Sequence, residues 1–171
     1  MKKKILVGYA SRYGSTKEVA ETIAVAIRDA GYDVDFLPVK NAKSLVAYQA
    51  VILGAPLFMF HWHKDVLQFL SRNQRILMDL KVAIFALGPT HNPYDEQEWR
   101  DSWSQLNKEL EHYSWLKPVE VEMFGGKYDP SLLKFPLKMM VGSVPASDIR
   151  DMDSVRSWAL DLIEKFDLKK A

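Results

Sequence analysis

Lys4-Ile5-Leu6-Val7-Gly8-Tyr9-Ala10-Ser11-Arg12-Tyr13-Gly14-Ser15-Thr16 is the stretch from which the rest of the chain can be read. Residues 4 to 9 are a short apolar run with charge before it and polar residues after it, as expected of a strand buried on both faces. From Ser15 to Ala30 the apolar positions Val19, Ala20, Ile23, Ala24 and Ile27 recur at three- and four-residue steps, and Gly31 stands where a helix would stop. The link between strand and helix holds Ser11, Arg12, Tyr13, Gly14, Ser15 and Thr16. Such a link can cradle a phosphate, because a helix N-terminus offers unpaired backbone N–H groups and a positive dipole end, hydroxyls add donors, and glycine lets the backbone come close. The same residues also suit an ordinary helix start, with Ser15 or Thr16 as the cap and Glu18 completing a capping box.

Other phosphate motifs fit less well. The chain has no GxxxxGK[ST] lysine and no GxGxxG. A phosphoryl-accepting receiver would need acidic residues at the ends of the first and third strands, where Tyr9-Ala10 and Gly54-Ala55 stand.

Working outward, strands are expected at Asp33–Leu37, at Ala50–Gly54, at Val82–Leu87 and at Val119–Phe124. Between and after them the spacing predicts a weak helix near Ser44–Ala47 and further helices near His63–Arg72, Glu96–Tyr113 and Ser154–Phe166. Strict alternation of this kind requires crossover connections and an open parallel sheet with helices on both faces, with ligands at the carboxyl ends of the strands. The expectation is one α/β domain over residues 1–171. Its one irregular stretch, about 125–151, lies between the fifth strand and the last helix and is too long for an ordinary turn.

Composition narrows the chemistry. The chain has 171 residues, 48% of them hydrophobic, enough for a sizeable core. Its 23 basic and 22 acidic residues leave a net charge of +1, so no long-range field marks nucleic acid as a partner. Cysteine is absent, which removes disulfides, thiolate metal sites, iron–sulfur clusters and thiol redox chemistry. Any redox chemistry must come from a bound cofactor. The apolar run after Met1-Lys2-Lys3-Lys4 is too short for a signal peptide, and no run of roughly 18 uncharged apolar residues could span a bilayer. A cytoplasmic protein is expected.

Ser11-x-x-Gly14-x-Thr16 after an apolar first strand resembles the phosphate loop of flavodoxins, which hold flavin mononucleotide (FMN). Pro56-Leu57-Phe58-Met59-Phe60-His61-Trp62 after the third strand looks like that family's first flavin-flanking loop, and Gly88-Pro89-Thr90-His91-Asn92 after the fourth looks like its second. The resemblance implies a doubly wound, open five-stranded parallel sheet of order 2-1-3-4-5, with FMN at one end of it. Phe58, Phe60 and Trp62 would wall the flat ring, with Thr90, His91 and Asn92 beside it. The same aromatics could instead belong to the core or to an interface.

Within that family the chain looks closest to the bacterial, menaquinone-dependent protoporphyrinogen oxidases of flavodoxin type. His61-Trp62-His63-Lys64 and the stretch from Phe124-Gly125-Gly126-Lys127-Tyr128 through Leu132–Met140 carry this likeness, while the second loop departs from that group. The resemblance implies FMN-dependent oxidation of a porphyrinogen with a quinone as acceptor. Simple electron carriers of the family are strongly acidic and this chain is balanced, which favours an enzyme. A flavodoxin-type electron carrier with a protein redox partner and a flavin-free protein-binding module are the alternatives.

No residue is singled out as catalytic. His61 or His63 could bond the flavin, move a proton, cap a helix or lie on the surface, and with two neighbouring histidines and no further ligands nearby no metal site is expected. Leu132–Val141 is apolar with Lys134 and Lys138 interspersed. It could rest on a membrane surface, cover the flavin as a lid, or pack on the sheet.

Overall fold

A computed structural model of the chain describes residues 4–59 and 61–168. Strand β1 (Lys4–Tyr9) leads into helix α1 (Ser15–Asp29) and β2 (Val34–Pro38). Then come β3 (Tyr48–Phe58), the two-residue β4 (His61–Trp62), α2 (Lys64–Arg72), α3 (Gln74–Leu77) and β5 (Lys81–Leu87). The chain continues through α4 (Glu96–Glu111), β6 (Glu120–Phe124), β7 (Lys127–Tyr128), α5 (Leu137–Met140), β8 (Ser147–Asp148) and α6 (Met152–Phe166). The long strands pair in parallel in the order β2-β1-β3-β5-β6, the expected doubly wound arrangement.

Alternate residues of the central strands feed two cores. Ile5, Val7, Ala50, Ile52, Ala83 and Phe85 meet Val19, Ile23 and Ile27 of α1 and Val155, Ala159 and Leu162 of α6. Leu6, Val51, Leu53, Val82 and Ile84 meet Val66, Phe69 and Leu70 of α2 and Leu106 of α4 on the other face. Burial on both faces is why the strands read as near-continuous apolar runs. Gly54 in β3 is required by this packing, since a Cβ there would lie 1.8 Å from the Phe85 ring.

Three elements differ from the sequence reading. No helix forms at Ser44–Ala47: the chain takes a short 3-10 turn at Val39–Asn41, anchors Leu45 in the core and turns directly into β3. Tyr48 N–H already bonds the Leu45 carbonyl as β3 begins, which leaves no room for a helical turn there. The expected helix at His63–Arg72 begins at Lys64, and a second short helix follows it after Asn73. Strand β3 runs on to Phe58 because β5 still pairs with it at Pro56 and β4 folds back on it, Leu57 opposite Trp62 and Phe58 opposite His61. No helix of the described residues is long and apolar enough to cross a membrane.

Candidate functional site

The order β2-β1-β3 means that the chain leaves β1 toward one side of the sheet and β3 toward the other, which opens a crevice at their carboxyl ends. The link from β1 to α1 lies there. Its shape is set by Gly14, whose φ of 95° is left-handed and open to glycine without strain. Gly14 is the N-cap of α1, and the Ser11 hydroxyl accepts from its N–H at 2.9 Å. No side chain caps the helix. The capping box that Ser15 and Glu18 could have formed is therefore not made. Instead the Glu18 carboxylate takes a hydrogen bond from Arg150 at 2.6 Å.

Thr16 is wholly buried in the first turn of α1, and its Oγ1 has no hydrogen-bond partner. A buried hydroxyl left alone costs about 1–3 kcal/mol, so the position asks for an external acceptor or donor. Together with the first amides of α1, which a helix leaves unpaired, this fits a phosphate.

Beside this turn lies a cavity of about 300 Å³. Arg12, Tyr13 and Ser15 form one side, Pro56, Leu57, Phe58 and Met59 a second, and Gly88 and Thr90 a third. Parts of all three predicted loops therefore meet around one space. The Arg12 guanidinium stacks on the Phe58 ring, 4.1 Å from its centroid, and carries its charge to the ring-loop side rather than into the turn of α1. No carboxylate pairs with Arg12 among the described residues.

Other residues of the predicted set lie elsewhere. Trp62 is 1% exposed, sits in the core with α2 and α4, and donates from its indole N–H to the Ala55 carbonyl at 3.0 Å. His61 points to α4, where its Nδ1 lies 2.8 Å from the Glu109 carboxylate. Pro89 and Asn92 are outside the cavity wall, and His91 faces a separate surface groove with its amide on Glu98. Phe60 lies outside the described residues. His63 accepts from the Asp65 amide as the cap of α2, and burial holds its imidazole below its ordinary pKa, with Arg12 among the further charges acting on it.

The remaining wall comes from the stretch after β6. Strands β7 and β8 pair antiparallel, and the segment between them folds over the crevice, so that Leu132, Leu133, Leu137 and Val141 face the cavity with Tyr128. The Tyr128 Oη is buried and also without a partner. Of the open readings for Leu132–Val141, its inner side thus covers the cavity.

This cover is tied down at its base. Ile149 N–H bonds the Gly126 carbonyl, the Ser147 hydroxyl bonds the Thr90 carbonyl, and Arg150 reaches back to α1. The Arg150 side chain is 7% exposed and donates to Asp148, to Glu18 and to the Ser15 carbonyl. Its hydrogen bonds to Asp148, with Arg150's charge, outweigh burial and hold the Asp148 carboxyl below its ordinary pKa. Sequence reasoning did not single out Arg150, because its partner Glu18 lies 132 residues away and leaves no local pattern.

A family model described as a flavodoxin domain matches residues 6–154 of the chain. Among solved structures, oxidised flavodoxin 2 from Bacillus cereus is similar over 95% of this chain and 99% of its own, with 20% identity and a TM-score of 0.60. A flavodoxin from the domain Archaea is similar at 16% identity, TM-score 0.60, over 96% and 99% of the two chains. The rubredoxin:oxygen oxidoreductase of Desulfovibrio gigas aligns at 16% identity and TM-score 0.58, over 97% of this chain but only 37% of its own. No curated protein sequence matches significantly.

Two outcomes follow from this geometry. Thr16→Val removes a hydroxyl that has no partner in the protein. Urea titration should show unfolding free energy unchanged or slightly raised, while FMN binding weakens about ten-fold and riboflavin binding, which lacks the phosphate, does not change. For Arg150→Met, loss of a hydrogen-bonded charge should cost about 2 kcal/mol at neutral pH. Because the Asp148 pKa is depressed in the folded chain, this contribution is full above the ordinary carboxylate value of about 4 and is lost as pH falls through the folded value. Urea titrations of the two proteins should therefore converge in acid.

Proposed function

The chain belongs to the flavodoxin family, whose cofactor is FMN, and from that premise we propose that it is an oxidoreductase that takes electrons from an apolar donor of the porphyrinogen class and passes them to a quinone. The observation that carries this reading is the apolar cover. An electron carrier that meets a protein partner needs an exposed ring edge, whereas here Leu132, Leu133, Leu137 and Val141 close over the space beside Phe58 and Met59, so that a molecule reaching the ring would meet an apolar wall. The overall balance of charge also differs from that of an acidic carrier.

FMN, when bound, supplies the two-electron and one-electron chemistry that the cysteine-free chain lacks. The protein supplies position and field. Ser11, Gly14, Ser15 and Thr16 would hold the phosphate, with Gly14 allowing the backbone to approach it. Phe58, Met59, Gly88 and Thr90 would flank the ring. Arg12, laid on Phe58 without a carboxylate partner, would favour added negative charge on the ring side of the pocket. The acidic residues of the wall do not oppose it strongly, since Glu18 is paired with Arg150 and Asp129 is engaged by the amide and hydroxyl of Ser131. The cover excludes water from the donor and acceptor.

The test is anaerobic mixing of the FMN-loaded protein first with protoporphyrinogen and then with menadione. The expected result is loss of the flavin absorption near about 450 nm with the first and its return with the second. A flavin that keeps its absorption with porphyrinogen, yet is reduced or reoxidised rapidly by a redox protein, would overturn the enzyme reading in favour of an electron carrier.

A further inference from the structure

The segment that covers the cavity has a second face, and that face is apolar too. With Leu133, Leu137 and Val141 turned inward, Phe135 is 79% exposed, Met139 75% and Met140 71%, with Val144 nearby also exposed. The turn is helical in geometry: Lys138 N–H bonds the Lys134 carbonyl and Met140 N–H bonds that of Pro136. Lys134 and Phe135 lead into the single helical turn Leu137–Met140, which carries Lys138, Met139 and Met140. Both lysines are exposed.

We propose that this outer face, Phe135, Met139 and Met140 flanked by Lys134 and Lys138, docks on an anionic lipid surface. Four large apolar side chains outside the cavity wall, Phe135, Met139, Met140 and Val144, are exposed within residues 132–144, too many in one place for scattered surface residues. The segment cannot bury them itself, because its inner face already packs on the cavity. The lysines favour lipid over protein. Phe and Met occur in protein interfaces as well as at lipid, but lysine is depleted from interfaces, whose anchors are Trp, Tyr and Arg, and residues 132–144 contain two lysines and none of those three. Lysine stems lie along an apolar surface while their ammonium groups reach phosphate, and Phe and Met enter the acyl boundary.

The charge is complementary as well. Lys134 and Lys138 are exposed on this face, while the carboxylates of Asp129 and Asp148 at the base of the cover are engaged by Ser131 and Arg150. The surface stands without the quinone reading. If that reading also holds, one segment would present the cavity on its inner side to an apolar molecule held in the bilayer beyond its outer side.

The experiment is co-sedimentation of the full chain with phosphatidylcholine vesicles, with and without about one third phosphatidylglycerol. Wild type should pellet with the anionic vesicles, and about 1 M salt should release much of it. Lys134→Gln with Lys138→Gln should weaken partitioning about 25-fold, about five-fold for each lysine near an anionic surface. Phe135→Ser with Met139→Ser should weaken it further. None of these residues lines the cavity, so FMN retention reports that each variant is folded and keeps the lipid test separate from the cofactor reading. A chain that stays in the supernatant with every vesicle, or that pellets equally whatever its charge and after both substitutions, overturns the proposal and leaves the face to a protein partner.

Discussion

Gly14 turns the chain at φ 95° between a strand buried on both faces and a helix that starts without a side-chain cap, and the site is built on that turn. A capped helix would have satisfied its own amides. Here Ser11 is spent on Gly14 N–H, Glu18 on Arg150, and the Thr16 hydroxyl is enclosed with no partner. The first turn of α1 is left short of an acceptor at the point where the order of the strands opens a crevice. A phosphate meets that need with charge, oxygen atoms and size together.

The cover over the crevice is held by the same turn. Arg150 leaves the stretch before α6, crosses to α1 and bonds both the Ser15 carbonyl and Glu18, so the first turn of α1 and the cover share one nearly buried guanidinium. Ser147 fastens the other side of the cover to Thr90 in the loop after β5. The first turn of α1 and the cover over the cavity are therefore joined through named contacts. The two apolar faces of residues 132–144 then have separate tasks, one toward the cavity and one toward the outside.

How much of this was legible depended on whether the signal was local. The long strands and the helices α1, α4 and α6 were readable because continuous apolar runs and apolar spacing of three to four residues are local signals. The turn between β1 and α1 was readable for the same reason. The ring loop was only partly so. Phe58 and Trp62 are separated by a tight fold-back of β3 onto β4, with Met59 at φ 47°, and that hairpin puts Phe58 on the cavity and Trp62 in the core. Nothing in the aromatic spacing reveals such a reversal. Arg150 depends on a contact with Glu18 across the chain, and no local pattern marks it.

The most direct test is to incubate the purified protein with excess FMN or with riboflavin, remove unbound flavin and measure visible absorption, then titrate each by fluorescence. The account predicts that FMN is retained and that riboflavin binds about 100-fold more weakly, as loss of two charge-assisted hydrogen bonds to phosphate would give. Equal affinity for the two flavins would contradict the phosphate role of the Gly14 turn. A chain that retains neither would contradict the redox reading as a whole.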